Sequence, residues 1–237
     1  EAAIMHNEYK TALKRLEPIQ LGLGAKFGMN RMAHSAQAFY RNGFSIGSAD
    51  ASNAFNCASR QKMYEAILAK CPSLARLFWM TYCTHRPVIL LKDGEQTHVL
   101  RSAEGARMGE KFGSFAFALA VQPAYEQLAE EFPDVTFQAA TDDLNFYAAS
   151  PAQVREVFPR VATLLKEHAG VTLNLAKSMI LVPPSSPAYE CFHIPDQLEV
   201  RYDGIVVVGA AIGTDDFVSK HVGAVVNSYR KKFQALT

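Results

Sequence analysis

Charge is scarce in this 237-residue chain: Asp, Glu, Lys and Arg supply 20% of it, against about a quarter in an average soluble domain. Apolar residues supply 49%, which excludes a disordered, collagenous or coiled-coil chain. No run of 18 apolar residues occurs, so no membrane-spanning helix is expected. No charged leader followed by an apolar core opens the sequence, and no secretory signal is expected. The first residue is Glu1 rather than Met, which sets the expectation of a processed product or an excised piece. Cysteine is sparse too. Cys57, Cys71, Cys83 and Cys191 lie far apart with no C-x-x-C spacing, so neither a structural zinc site nor a disulfide framework is expected, and a reducing, intracellular compartment is the default. A strong basic field is also missing. The net charge is +1, with +3 in residues 1–42 and −2 in the rest. A nucleic-acid partner therefore has to be argued from a site and not from composition.

What is present is a mixture of periodicities. Residues 6–16 read as a short amphipathic helix, 18–28 as a Gly-rich irregular stretch, and 29–41 as a helix. Residues 44–50 alternate as a strand. Residues 59–70 and 73–85 read as two helices broken at Pro72, with Phe78, Trp79 and Tyr82 expected in the core. Residues 87–92 and 96–101 flank Asp93-Gly94, a strong hairpin signal. A long helix is expected over 109–130, then strands 134–140 and 144–148 around Asp142-Asp143. Residues 151–169 carry a helical stripe opened by Ser150 as N-cap and Pro151 as its first residue, with a kink or break expected at Pro159. Strands follow at 171–175, 178–182, 198–202 and 205–209, the last two around Asp203-Gly204, and a basic-tipped amphipathic helix spans 214–237. Hairpins outnumber β-α-β crossovers, so the expected class is α+β with an antiparallel sheet packed on helices. The loop 183–197 is the one place where a boundary could fall.

Two positions put carboxylates where strands end: Asp50, closing FSIGSAD, and the pair Asp142-Asp143 between two apolar strands. Adjacent aspartates in a sheet's middle repel each other and lose water. A divalent cation removes that cost, and an oxygen-only donor set points to Mg²⁺ or Mn²⁺. Three convergent aspartates suit two-metal phosphoryl transfer, in which one ion activates a 3′-hydroxyl and the other steadies departing pyrophosphate. The plainer reading of Asp142-Asp143 is an ordinary hairpin turn.

At these residues the chain resembles the palm of a reverse transcriptase, most of all that of the non-LTR retrotransposon branch. SADASNAFN (48–56) resembles the first palm motif, EGARMGEKFGSFAFALAVQP (104–123) the second, ATDDL (140–144) the aromatic-x-Asp-Asp turn, TLNLAKS (172–178) the fourth and VVGAAIGTDDF (207–217) the primer-grip motif. PIQLGLGAKFG (18–28) resembles the Gln-x-Gly stretch that precedes the palm. The resemblance implies partial fingers in 1–43, a palm in 44–182, a primer-grip region in 183–213 and the start of a thumb helix in 214–237. It implies an RNA-directed DNA polymerase core that adds dNTPs to a primer 3′ end. Asp50 and Asp142 would bind two Mg²⁺ or Mn²⁺ ions, Asp143 would support them or ligate one, and the Ala51 carbonyl would complete the second ion's shell. Asn53 and Ala54 would line the nucleotide, Phe55 would act as the gate against a ribose 2′-hydroxyl, Gly109 would let a helix approach the templating pair, and Lys177 would protonate pyrophosphate. Plain core packing is the competing reading of Phe55, and a solvated strand-end lysine that of Lys177.

The departures from the motif matter as well. The second motif's Gln is Met108, at the nucleotide-binding position, and the aromatic two residues before the Asp pair is Ala140. The alternative function is thus a domesticated, inactive subunit, structural or RNA-binding, within a larger assembly. The implied partners are an RNA template, a DNA primer, dNTPs, and other chains or domains that supply fingers and thumb, in a nuclear or ribonucleoprotein setting. The candidate phosphate contacts are Lys10, Lys14, Arg15, Lys26, Arg31 and Arg230-Lys231-Lys232. An RNA-copying RNA polymerase shares the palm, but the bulky Phe55 and the retroelement-like fifth motif argue against it.

Overall fold

The computed structural model describes residues 11–84, 88–107, 111–186 and 198–234. A five-stranded sheet has the order β4-β5-β1-β6-β7, built from β1 (Ser45–Ala49), β4 (Thr136–Ala140), β5 (Asp143–Ala148), β6 (Met179–Leu181) and β7 (Glu199–Arg201). Its pairings are antiparallel except at one edge, where β7 lies parallel to β6. Two hairpins stand outside it: β2 (Val88–Asp93) with β3 (Gln96–Arg101), and β8 (Gly204–Val207) with β9 (Ala210–Gly213). The α+β class expected from the sequence is the one observed.

The central strands are covered on both faces. Every residue of β5 after Asp143 is buried, so the strand reads as an apolar run and not as a clean alternation. One face carries α3 (Arg60–Lys70), α5 (Lys111–Glu131) and α6 (Pro151–Ala169). In α5 the run Phe115–Val121 is almost entirely apolar and buried, the pattern of a helix enclosed on all sides. In α6 the buried stripe is Val154, Val157, Phe158, Val161, Leu164 and Leu165, the 3-4 spacing of a single apolar face. The other face carries α1 (Gly28–Arg41) and the β8–β9 hairpin. There Ala36, Tyr40, Ile46, Tyr147, Leu181, Ile205, Val207 and Ile212 form a second core. Short helices α2 (Ala54–Cys57) and α4 (Pro72–Phe78), and the terminal α7 (Asp215–Gln234), complete the order. Residues 11–14 are helical and lie where the first helix was expected.

Several local expectations are corrected. The helix does not break at Pro159, because that residue faces solvent, where the carbonyl its ring leaves free can meet water. Pro72 opens α4 as its first residue, and the break falls at Cys71, whose backbone leaves the helical region at φ −146° and ψ 62°. The segment after Phe78 winds into a π-helical turn, Trp79–Cys83. Phe78 and Tyr82 are core, but Trp79 is 46% exposed, since the wider turn rotates it off the buried face. Residues 171–175 make no strand: only Leu173 bridges to Ala51, and the chain then turns tightly, with Lys177 N–H and Ser178 N–H both donating to Asn174 O. Asp203-Gly204 does not close a hairpin. Residues 199–201 pair with β6 instead, and the hairpin turn is Val208-Gly209, both at positive φ as a tight two-residue turn demands. The sequence reading placed the 183–197 boundary and the second-motif residues Met108 and Gly109 at positions that lie wholly or partly outside the described residues.

Candidate active site

Sheet register builds the site. The β1–β5 ladder ends at Ala49 opposite Leu144, and continuing it by one step sets Asp50 opposite Asp143. On the other side Ala140 pairs with Asp143. The hairpin turn is therefore Thr141-Asp142, not Asp142-Asp143, and Asp143 is the first residue of β5. Thr141 adopts φ 64°, a left-handed conformation that non-glycine residues rarely hold without outside support.

The carboxylates feel one another. Burial is the first cause that raises the Asp142 pKa above the ordinary carboxylate value, its own backbone N–H opposes the rise, and the charge of Asp50 adds to it. Asp143 is also raised, by burial, then Asp142, then Asp50, although its side chain keeps solvent access. Tyr125, fully buried beneath the turn, is pushed up by burial and by both aspartates. This is unrelieved like charge at converging strand ends. Among the described residues, however, no group of three His, Cys, Asp or Glu side chains is gathered tightly enough to hold a metal ion.

Polar side chains far away in sequence hold the backbone beneath these acids. Asp50 N–H donates to Ser178 Oγ at 3.1 Å, Asn174 N–H donates to the Asp50 carbonyl at 2.8 Å, and Ser178 Oγ donates to Asn174 O at 2.8 Å. Ser178 is wholly buried. Lys177, exposed, is on the same turn. The other acid-bearing turn is held by Gln20, also wholly buried: its Nε2 donates to Thr141 O at 3.0 Å and its Oε1 accepts from Thr141 N–H at 3.1 Å. Neither Gln20 nor Ser178 was singled out by sequence reasoning. Both lie inside segments the family resemblance marked, but their partners are 121 and 128 residues away.

Of the residues expected to line a nucleotide, the described ones lie at and beside α2. Ala51 sits at the isolated bridge to Leu173. Asn53 precedes α2 at φ 47°, and its Oδ1 accepts from Asn56 Nδ2 at 2.6 Å. Ala54 is buried. Phe55 is half-buried, its ring stacked on Phe117 with centroids 4.6 Å apart. Its carbonyl accepts from Ala106 N–H at 2.7 Å. Gly105, at φ 75°, allows that approach, since a Cβ there would stand 2.4 Å from Asn56 O. The loop is pinned from behind by buried Arg60, which donates to the carbonyls of Ser102, Glu104 and Gly105 at 2.8–2.9 Å.

The model of the reverse transcriptase (RNA-dependent DNA polymerase) family matches residues 7–207. The chain belongs to that family. The fold agrees with solved structures at low identity. Apo telomerase from Candida tropicalis truncated from its C-terminal domain superposes with a TM-score of 0.61 at 13% identity, over 90% of this chain and 43% of that one. Apo telomerase from the same organism gives 0.63 at 10% identity, over 90% and 39%. A C. tropicalis telomerase in complex with a TWJ fragment of telomeric RNA gives 0.57 at 11%, over 75% and 33%. This reverse transcriptase chain thus spans about two-fifths or less of the telomerase chains it matches. None of the curated protein sequences matches it.

Proposed function

We propose that this chain is the catalytic core of an RNA-directed DNA polymerase, of the non-LTR retrotransposon type its motifs resemble. The supporting observation is the convergence of Asp50 and the Asp142-Asp143 pair at adjoining strand ends, where burial and the neighbouring carboxylates raise the pKa values of Asp142 and Asp143. Such a donor set, all oxygen and unrelieved in charge, fits a hard divalent cation. Asp50 and Asp142 would hold Mg²⁺ or Mn²⁺, with Asp143 and the Ala51 carbonyl completing the shells. Bound there, the ions would acidify the primer 3′-hydroxyl and offset the charge of the triphosphate. The chain's own residues do the rest. Asn53, Ala54, Phe55, Met108 and Gly109 line the nucleotide, the Phe55 ring excludes a 2′-hydroxyl, and Lys177 gives a proton to pyrophosphate. Residues 1–43 act as partial fingers, 44–182 as palm, 183–213 as primer grip and 214–237 as the start of a thumb. Fingers and thumb are completed by other domains or chains.

Ala140 favours the second reading, an inactive structural or RNA-binding subunit, because no aromatic ring stands before the acidic turn to contact a primer. Primer extension on an RNA template, in Mg²⁺ and separately in Mn²⁺, decides between them. The polymerase incorporates dNTPs, and Asp142→Asn abolishes incorporation. Metal binding with no incorporation in either ion moves the protein to the second reading.

A further inference from the structure

We infer that Gln20 is a positioning residue for the acidic turn: its buried amide clamps the Thr141 peptide and thereby sets where Asp142 and Asp143 stand. This inference rests on the polymerase reading for its consequence, but the clamp itself is geometric.

Four observations carry it. Thr141 is held at φ 64°, a conformation that costs a β-branched residue of order 1–3 kcal/mol unless neighbours over-determine it. The Gln20 side chain closes on both the N–H and the C=O of that one residue, at 3.1 and 3.0 Å, so it matches a single orientation of the Thr141 residue and no other. Gln20 is wholly buried, where an amide left unpaired costs about 1–3 kcal/mol, so the clamp resists opening from its own side as well. The flanking backbone fixes the clamp to β4. Leu21 N–H donates to Ala139 O at 2.7 Å and Ala139 N–H donates to Ile19 O at 2.8 Å, an extra strand-like bridge beside β4 at Gln20 and Ala139.

Gly22 makes this approach possible. A Cβ on it would lie 2.8 Å from both Ala140 Cα and Thr141 N, well inside contact distance. The Gln-x-Gly spacing thus has a physical meaning: the glutamine grips the turn and the glycine, two residues on, clears room for the grip. Tyr125 adds a longer third bond, its hydroxyl donating to Thr141 O at 3.4 Å. Ala140 packs with Leu21 and Met32, so a small residue there lets the clamping segment lie flat against the turn.

The test uses Gln20→Met, close in length and volume but without the amide, and Gln20→Glu, which keeps the acceptor for Thr141 N–H and loses the donor. Three readouts are taken on the whole chain: amide exchange at Thr141, Mn²⁺ affinity by electron paramagnetic resonance, and primer-extension kinetics. Gln20→Met is expected to speed Thr141 exchange at least tenfold while Ala139 is unchanged, to weaken Mn²⁺ about tenfold, and to lower kcat about a hundredfold with the dNTP KM within about twofold, the scale of a misplaced reacting group. Gln20→Glu should recover part of the Thr141 protection. Unchanged exchange, or faster exchange with Mn²⁺ affinity and kcat both intact, overturns the inference. So does Thr141 exchange in Gln20→Glu as fast as in Gln20→Met, which would show that the side-chain acceptor holds nothing. Wild-type chain that binds Mn²⁺ but extends no primer sinks the polymerase reading alone, and the clamp is then judged by the fall in Mn²⁺ affinity and the Thr141 exchange. Wild-type chain that does neither removes the polymerase reading and the clamp's consequence for the metal, and Thr141 exchange alone then judges the clamp.

Discussion

At the scale of single residues, the site is a problem of charge that protein groups alone do not solve. Asp142 and Asp143 have pKa values raised by burial first and by neighbouring carboxylates after it. In the unfolded chain both revert to about 4. Between that value and the raised one, the folded chain binds more protons than the unfolded chain, so stability must fall as pH rises through the window. Melting temperature of the cation-free chain is therefore expected to drop across this range by more than in Asp142→Asn/Asp143→Asn, and added Mn²⁺ should reduce the difference between the two. Equal pH slopes in the two proteins would show that the pair's burial has no energetic weight. Gln20 and Ser178 complete the residue-scale picture, because the acids point where buried polar groups hold their backbones and not where their own preferences would send them.

At the scale of elements, propensity and context disagree in instructive places. Pro159 sits inside α6 without ending it. A mid-helix proline costs about 3 kcal/mol relative to alanine, while the stiffer ring returns about 0.4–1 kcal/mol by restricting the unfolded chain. The first effect is larger, so Pro159→Ala should raise stability by about 2 kcal/mol in urea denaturation with an unchanged m-value. No gain would mean that α6 has already relaxed around the ring. The sequence reading recognised the strand-forming patterns of β6–β8, missed β9 and paired the wrong partners: the composition of 198–209 suits a hairpin, but the backbone groups of Glu199–Arg201 are taken by β6, in parallel, across a gap in sequence. Pairing between strands is a property of the sheet, and a local window holds no information about it.

At the scale of the whole molecule, the near-neutral balance hides an uneven surface. Lys14 and Lys26 line one shallow cleft with Glu17 and Gly24. Beside it Phe27 is 70% exposed at φ 56°, with Lys26 Nζ 5.4 Å above its ring. An exposed ring among cations suits single-stranded nucleic acid, where phosphates give salt dependence and the ring can stack on a base. Arg31 contributes less, being paired with Glu17 at 2.9 Å. Affinity for a single-stranded RNA should fall with salt, by a slope of about 0.7 per phosphate contact. Lys14→Glu/Lys26→Glu should cut that slope by about 1.4, as measured by fluorescence anisotropy across a salt series. An unchanged slope would take RNA off this face. The terminal α7 buries no residue, and Val222, Val225, Val226, Tyr229 and Phe233 line it exposed. No described helix is long and apolar enough to cross a membrane.

The α+β class, the helix that carries the 151–169 stripe, its Ser150 cap, the β2–β3 hairpin and the three aspartates were all legible in the sequence. Periodicity, capping and turn chemistry are local, and local interactions can be read from neighbours in the chain. The family's ordered motifs were legible for the same reason. Tertiary structure alone decided that Asp143 opens a strand while Thr141 takes the strained turn position, that Trp79 faces outward, and that residues 199–201 leave their neighbour to pair with β6. It also decided that an amide 121 residues away would hold the acidic turn. Those outcomes depend on which distant groups meet in the packed interior, where every buried donor and acceptor must find a partner.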